Sequence, residues 1–72
     1  MAKEKRTALR QFRASKLLTQ DQIAAKLGFS RPHYARFENG EQDVTLRFLE
    51  ALAAAFGISL EEAKQLSRRD NE

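Results

Sequence analysis

The residues able to do chemistry in this 72-residue chain are mostly cations, and they are unevenly placed. Lys3, Lys5, Arg6, Arg10, Arg13, Lys16, Lys26, Arg31 and Arg36 fall in residues 1–36, against only Glu4 and Asp21, a net charge of +7. Residues 37–72 carry four basic residues and eight acids, a net of −4. Such asymmetry points the basic half toward a polyanion. Catalytic chemistry finds no such concentration. There is no cysteine and one histidine, His33, with no partner at metal-ligand spacing, so a metal or thiolate site is not expected. No phosphate-cradling glycine loop or nucleophile–base–acid arrangement is present. The chain is read as a non-enzyme that needs no cofactor.

Seventy-two residues allow one small domain. No apolar run approaches the roughly 20 residues of a membrane span, and the basic start lacks the apolar stretch of a signal peptide. A cytoplasmic protein without membrane contact is expected.

One proline and three glycines leave room for helices broken by short turns. Residues 1–6 read as a flexible basic arm, residues 7–67 as the folded domain and residues 68–72 as a polar, fraying tail. A first helix is expected over residues 7–16, with Leu9 and Phe12 inward. Thr19 caps the second, Gln22 completes a capping box, and Leu18 with Ile23 can form a hydrophobic staple. Gly28 ends that helix, and Ser30 caps the third, with Pro32 tolerated in its first turn. Thr45 caps a fourth helix with Leu46, Leu49, Leu52, Ala53 and Phe56 inward. Ser59 and Glu62 form a second capping box, opening a fifth helix with Leu60, Ala63 and Leu66 on its apolar side.

The join between the second and third helices carries the function. Ala24 is small enough for close crossing, Gly28 permits a left-handed turn, and Tyr34 and Phe37 lock the third helix in place. This spacing defines a helix-turn-helix. Residues 19–39, TQDQIAAKLGFSRPHYARFEN, resemble the DNA-binding unit of the lambda-repressor/Cro-like (XRE) family, and the likeness runs from about residue 8 to 66. It implies an all-α, five-helix lambda-repressor-like domain with the helix-turn-helix at helices two and three.

The resemblance also implies site residues. Gln20, Ser30, Arg31, Pro32, His33 and Arg36 would meet base edges in the major groove, and Arg31 and Arg36 suit guanine. Lys3, Lys5, Arg6, Arg10 and Asn39 would meet phosphates. Arg13 and Lys16 would add sequence-independent attraction. Members of the family generally bind as two copies on a two-fold symmetric site. Phe48 falls off the fourth helix's main stripe. It either closes the core edge or joins Leu60, Ala63 and Leu66 in an exposed dimer patch.

Four departures from the family pattern stand out. Pro32 cannot donate a side-chain hydrogen bond, so that position could contact bases only by apolar touch. Glu41, Gln42 and Asp43 occupy a loop where phosphate-gripping basic residues are usual. Tyr34 is bulkier than the usual aliphatic residue. Leu17 replaces a small turn residue. The favoured function is a sequence-specific double-stranded DNA-binding transcriptional regulator, a repressor acting as a homodimer. The alternative is an antitoxin-like protein-interaction module with DNA binding secondary, motivated by the acidic loop and the apolar C-terminal face.

Overall fold

Each helix of the computed structural model, which describes residues 4–71, starts where a side chain can satisfy its orphan N–H groups. Five helices follow in order: α1 (Thr7–Ser15), α2 (Gln20–Leu27), α3 (Arg31–Glu38), α4 (Leu46–Phe56) and α5 (Leu60–Leu66). There is no strand among the described residues.

Thr19 Oγ1 accepts from the Gln22 N–H at 3.1 Å, and Gln22 Oε1 accepts from the Thr19 N–H at 2.9 Å. Ser30, Thr45 and Ser59 accept from the third residue beyond at 3.3, 3.1 and 3.0 Å. Each such cap is typically worth about 1 kcal/mol.

The core draws Leu9 from α1, Ile23, Ala24 and Leu27 from α2, Tyr34 and Phe37 from α3, Phe48, Leu49 and Leu52 from α4, and Ala63 from α5. At its centre the Phe37 and Phe48 rings lie 4.4 Å apart. This corrects the dimer expectation for two residues. Phe48 and Ala63 are fully buried, so neither can face a second copy. The buried stripe of α4 is Phe48, Leu49 and Leu52, and Leu46, expected inward, is 58% exposed.

The arm and the tail also depart from expectation. Lys3 and the rest of residues 1–3 lie outside the described residues. Arg6, expected at phosphate, is only 2% exposed. Its Nε donates to the Ser67 carbonyl at 2.7 Å, and its Nη1 donates to the carbonyls of Phe37 at 2.6 Å and Gln42 at 2.8 Å. Phe37 and Ser67 lie at the C-terminal ends of α3 and α5, where carbonyls lack intrahelical partners. A guanidinium, with five donors in a fixed fork, suits that task.

The tail is tied down as well. α1 has no local side-chain cap, and Asp70 supplies one from the far end of the chain. Its Oδ1 accepts the Thr7 N–H at 2.8 Å and its Oδ2 the Thr7 hydroxyl at 2.6 Å. These bonds hold the Asp70 carboxyl below the usual carboxylate range. Arg69 donates to the Gly40 carbonyl at 3.2 Å and to Asp43 at 2.7 Å. Gly40 itself sits at φ +75°, and a Cβ there would collide with the Glu4 carbonyl.

Candidate nucleic-acid interface

The turn between α2 and α3 is closed by backbone chemistry. Gly28 adopts φ 81°, ψ 29°, the left-handed conformation that costs glycine least. The Phe29 N–H then donates to the Ala24 carbonyl at 2.9 Å and the Gly28 N–H to that of Ala25 at 3.2 Å. This pair of bonds terminates a helix as a Schellman motif does. Phe29 is more than a spacer. Its ring lies 5.6 Å from both Phe37 and Phe48 and 5.1 Å from His33. The turn is thereby pinned to the core, and the orientation of α3 with it.

On α3 the inward residues are Tyr34, Phe37 and Glu38, which leaves Arg31, Pro32 and Arg36 exposed. His33 is half-buried. It stacks on Phe37 at 4.8 Å and 23°, and its Nε2 lies 3.0 Å from the Gln42 amide nitrogen. The Ser30 hydroxyl is occupied in capping α3. Asn39 closes the helix at its other end and is exposed.

Glu38 is the hub of the helix-turn-helix. Arg13 donates to it through Nε at 2.8 Å and Nη2 at 3.1 Å, and Gln20 donates through Nε2 at 3.1 Å. Arg13 Nη1 also caps the Leu18 carbonyl at 2.8 Å. One carboxylate thus joins α1, the α1–α2 turn, α2 and α3. Burial alone would raise the Glu38 pKa, but the donors around it outweigh burial and hold it below the usual range. The hydrogen bond to Glu38 correspondingly raises the pKa of Arg13. The buried Tyr34 hydroxyl lies beside this pair without closing a hydrogen bond of good geometry. Desolvation, with the Glu38 charge next to it, pushes its ionisation far above the ordinary tyrosine range.

A cavity of about 330 Å³ opens between the N-terminal segment and α3, lined by Lys5, Thr7, Arg10, Gln20 and Asn39 over a floor of Arg6, Arg13 and Glu38. Lys5 and Arg10 are exposed and make no ion pair among the described residues. Lys5 and Arg10 thus share one groove with Asn39, distant from them in sequence, beside the start of α2. That arrangement suits an oxyanion, which the N–H groups of a helix N-terminus also favour.

The acidic loop has an explanation that its sequence does not show. The Gln42 carbonyl and side chain bind Arg6 and His33, the Glu41 N–H binds the Arg36 carbonyl at 2.9 Å, and Asp43 is paired with Arg69. The loop is built for attachment to the body of the domain.

The helix-turn-helix family model matches residues 9–62, three quarters of the chain. The chain belongs to the lambda-repressor/Cro-like (XRE) helix-turn-helix family. Among its relatives is the control protein C.MunI of Mycoplasma sp, 40% identical over 45 residues, which are 62% of this chain and 61% of that protein. An uncharacterised HTH-type transcriptional regulator of Methanocaldococcus jannaschii is 37% identical over 54 residues, 75% of this chain and 82% of that one. Another from Archaeoglobus fulgidus is 33% identical over 57 residues, 79% of this chain and 81% of that protein. The chain therefore spans about three fifths of C.MunI and about four fifths of the two regulators. The XRE family is a family of DNA-binding regulators and not of enzymes.

Several working residues of this XRE domain carry no local sequence signal. Arg13 and Glu38 are 25 positions apart, and Thr7 and Asp70 are 63 apart. Arg47 stands in the acidic half, yet its guanidinium lies 5.3 Å from the Phe29 ring, which places a cation beside the turn that starts α3. No helix among the described residues is long and apolar enough to cross a membrane.

Proposed function

We propose that this protein is a sequence-specific double-stranded DNA-binding transcriptional regulator that represses as a homodimer on a two-fold symmetric operator. The observation that carries the reading is the joint exposure of Arg31, Pro32 and Arg36 on α3 and of Lys5, Arg10 and Asn39 in the groove at the other end of that helix. With α3 in the major groove, its N-terminal residues meet base edges while the groove residues meet the sugar–phosphate backbone. Family membership supports the same reading, as do the names of the two archaeal relatives.

One such module covers only about 600–1,000 Å² of protein surface on DNA, and pairing two copies doubles it. Half-sites would lie about 34 Å apart, one turn of the duplex. With Phe48 and Ala63 in the core, the dimer contact falls to the exposed Leu60 and half-buried Leu66 of α5, with Leu46 of α4. A bound dimer represses by occluding a promoter.

The test is a binding titration on an operator enriched from random duplexes, repeated at several salt concentrations. A negative slope of log K against log salt is expected, because each neutralised phosphate releases counterions. A flat line rules out the reading. Sedimentation of the complex gives the stoichiometry, and a promoter–reporter fusion distinguishes repression from activation.

A further inference from the structure

We infer that the recognition surface reads guanine and the thymine methyl and carries no adenine reader, so each half-site holds two guanines and a thymine. The inference rests on the DNA-binding reading above and specifies its chemistry.

It follows from which side chains around α3 are already engaged. Adenine is recognised bidentately by an asparagine or glutamine amide. Gln20 has its amide nitrogen on Glu38 at 3.1 Å, and Gln42 has its own 3.0 Å from His33. Asn39 lies past the last helical residue of α3, in the groove with Lys5 and Arg10 that faces the sugar–phosphate backbone in the reading above. The Ser30 hydroxyl accepts the His33 N–H, and the His33 ring is held against Phe29 and Phe37. Gln20, Gln42, Ser30 and His33 are thus engaged in holding the helix-turn-helix and the loop that follows it.

What remains is Arg31, Pro32 and Arg36. All three are exposed, and neither arginine side chain has a partner among the described residues. An unpaired guanidinium presents the two-pronged donor set that matches guanine O6 and N7. Pro32 has no side-chain donor or acceptor, so it can recognise a base only by apolar touch, for which the thymine methyl is the major-groove target. Pro32 and Arg36 are four residues apart and so share one face. Arg31 and Arg36 are separated by about 7.5 Å along the axis at 1.5 Å per residue. Five residues also turn Arg36 by about 140° from Arg31 at 3.6 residues per turn, so the two guanidiniums reach separate guanines, with the thymine beside the one that Arg36 reads.

The test uses the whole chain and a random duplex pool, followed by single-atom changes in the enriched site. Replacing each enriched guanine by 7-deazaguanine removes the N7 acceptor, and replacing the thymine by uracil removes the methyl. Affinity is expected to fall at least about fivefold for each deazaguanine, and measurably for uracil. Arg36→Ala should erase selection at one guanine while retaining the other, and Arg31→Ala the reverse. If duplexes bind selectively but tolerate 7-deazaguanine, or if an adenine replaces the guanines in the enriched site, the readout is wrong and the DNA-binding reading stands. If no duplex binds with salt-dependent affinity, both fail.

Discussion

Arg13 and Glu38 meet as a two-pronged ion pair between α1 and α3, with Arg13 Nε 2.8 Å from Glu38 Oε2. Their side chains are 16% and 5% exposed, so the pair is largely out of water. Breaking a buried pair by removing one partner typically costs about 3–5 kcal/mol, because the other charge stays buried alone. Glu38→Ala should therefore lower unfolding free energy by about 3 kcal/mol in a urea titration. The double variant Arg13→Met/Glu38→Leu should recover most of that loss, since it leaves no orphaned charge. A double variant no more stable than Glu38→Ala would show that the ion pair is not the source of the effect.

The same pair sets an acid limit on stability. The folded-state pKa of Glu38 is depressed, so its contribution is fully present above the unfolded carboxyl pKa of about 4.3. It is lost as pH falls through the lower folded value. Asp70 is shifted in the same direction by its bonds to Thr7. Thermal denaturation across pH should show a falling melting temperature below about pH 4, and Glu38→Gln should flatten much of that slope. An equal slope in wild type and Glu38→Gln would assign the acid sensitivity to other carboxyls.

Arg6 and Arg10 are four residues apart on one basic segment, yet they should fail differently. Arg6 is buried on three carbonyls, while Arg10 is exposed in the groove. Arg6→Lys should lower the melting temperature by several degrees, because an ammonium cannot reproduce the fork, and should leave the salt slope of DNA binding unchanged. Arg10→Ala should keep the melting temperature and reduce that slope by about one. If Arg6→Lys changes the slope as Arg10→Ala does, Arg6 acts on phosphate after all.

The contrast shows where sequence reasoning stops. Thr19, Gly28, Ser30, Thr45, Gly57 and Ser59 mark helix ends through contacts within a few residues, and such signals can be read from spacing alone. The helix-turn-helix is legible for the same reason, since Ala24, Gly28, Tyr34 and Phe37 act across one turn. Arg6, Arg13 and Asp70 act across 25 to 63 positions, and a charge in a basic run looks the same whether it faces phosphate or a buried carbonyl. The place of Phe48 cannot be read from spacing, because α4 is apolar on most sides and a shift of the stripe from Leu46 to Phe48 changes little in the pattern.

Leu17 offers a test of backbone strain with no packing to confuse it. It is the sole non-glycine residue with positive φ among the described residues, at 59°, and it is 90% exposed. A side chain in the left-handed region costs roughly 1–2 kcal/mol, a cost glycine escapes. Because the leucine buries almost nothing, its removal forfeits little hydrophobic stabilisation. Glycine does widen the unfolded ensemble, which offsets part of the gain. Leu17→Gly should therefore stabilise the domain by about 0.5–1 kcal/mol, seen as a higher urea midpoint with an unchanged denaturant slope. Leu17→Ala, with a Cβ but no apolar branch, should stay within about 0.5 kcal/mol of wild type. Should alanine stabilise as much as glycine does, exposed apolar surface would be the cause, and the left-handed backbone would not.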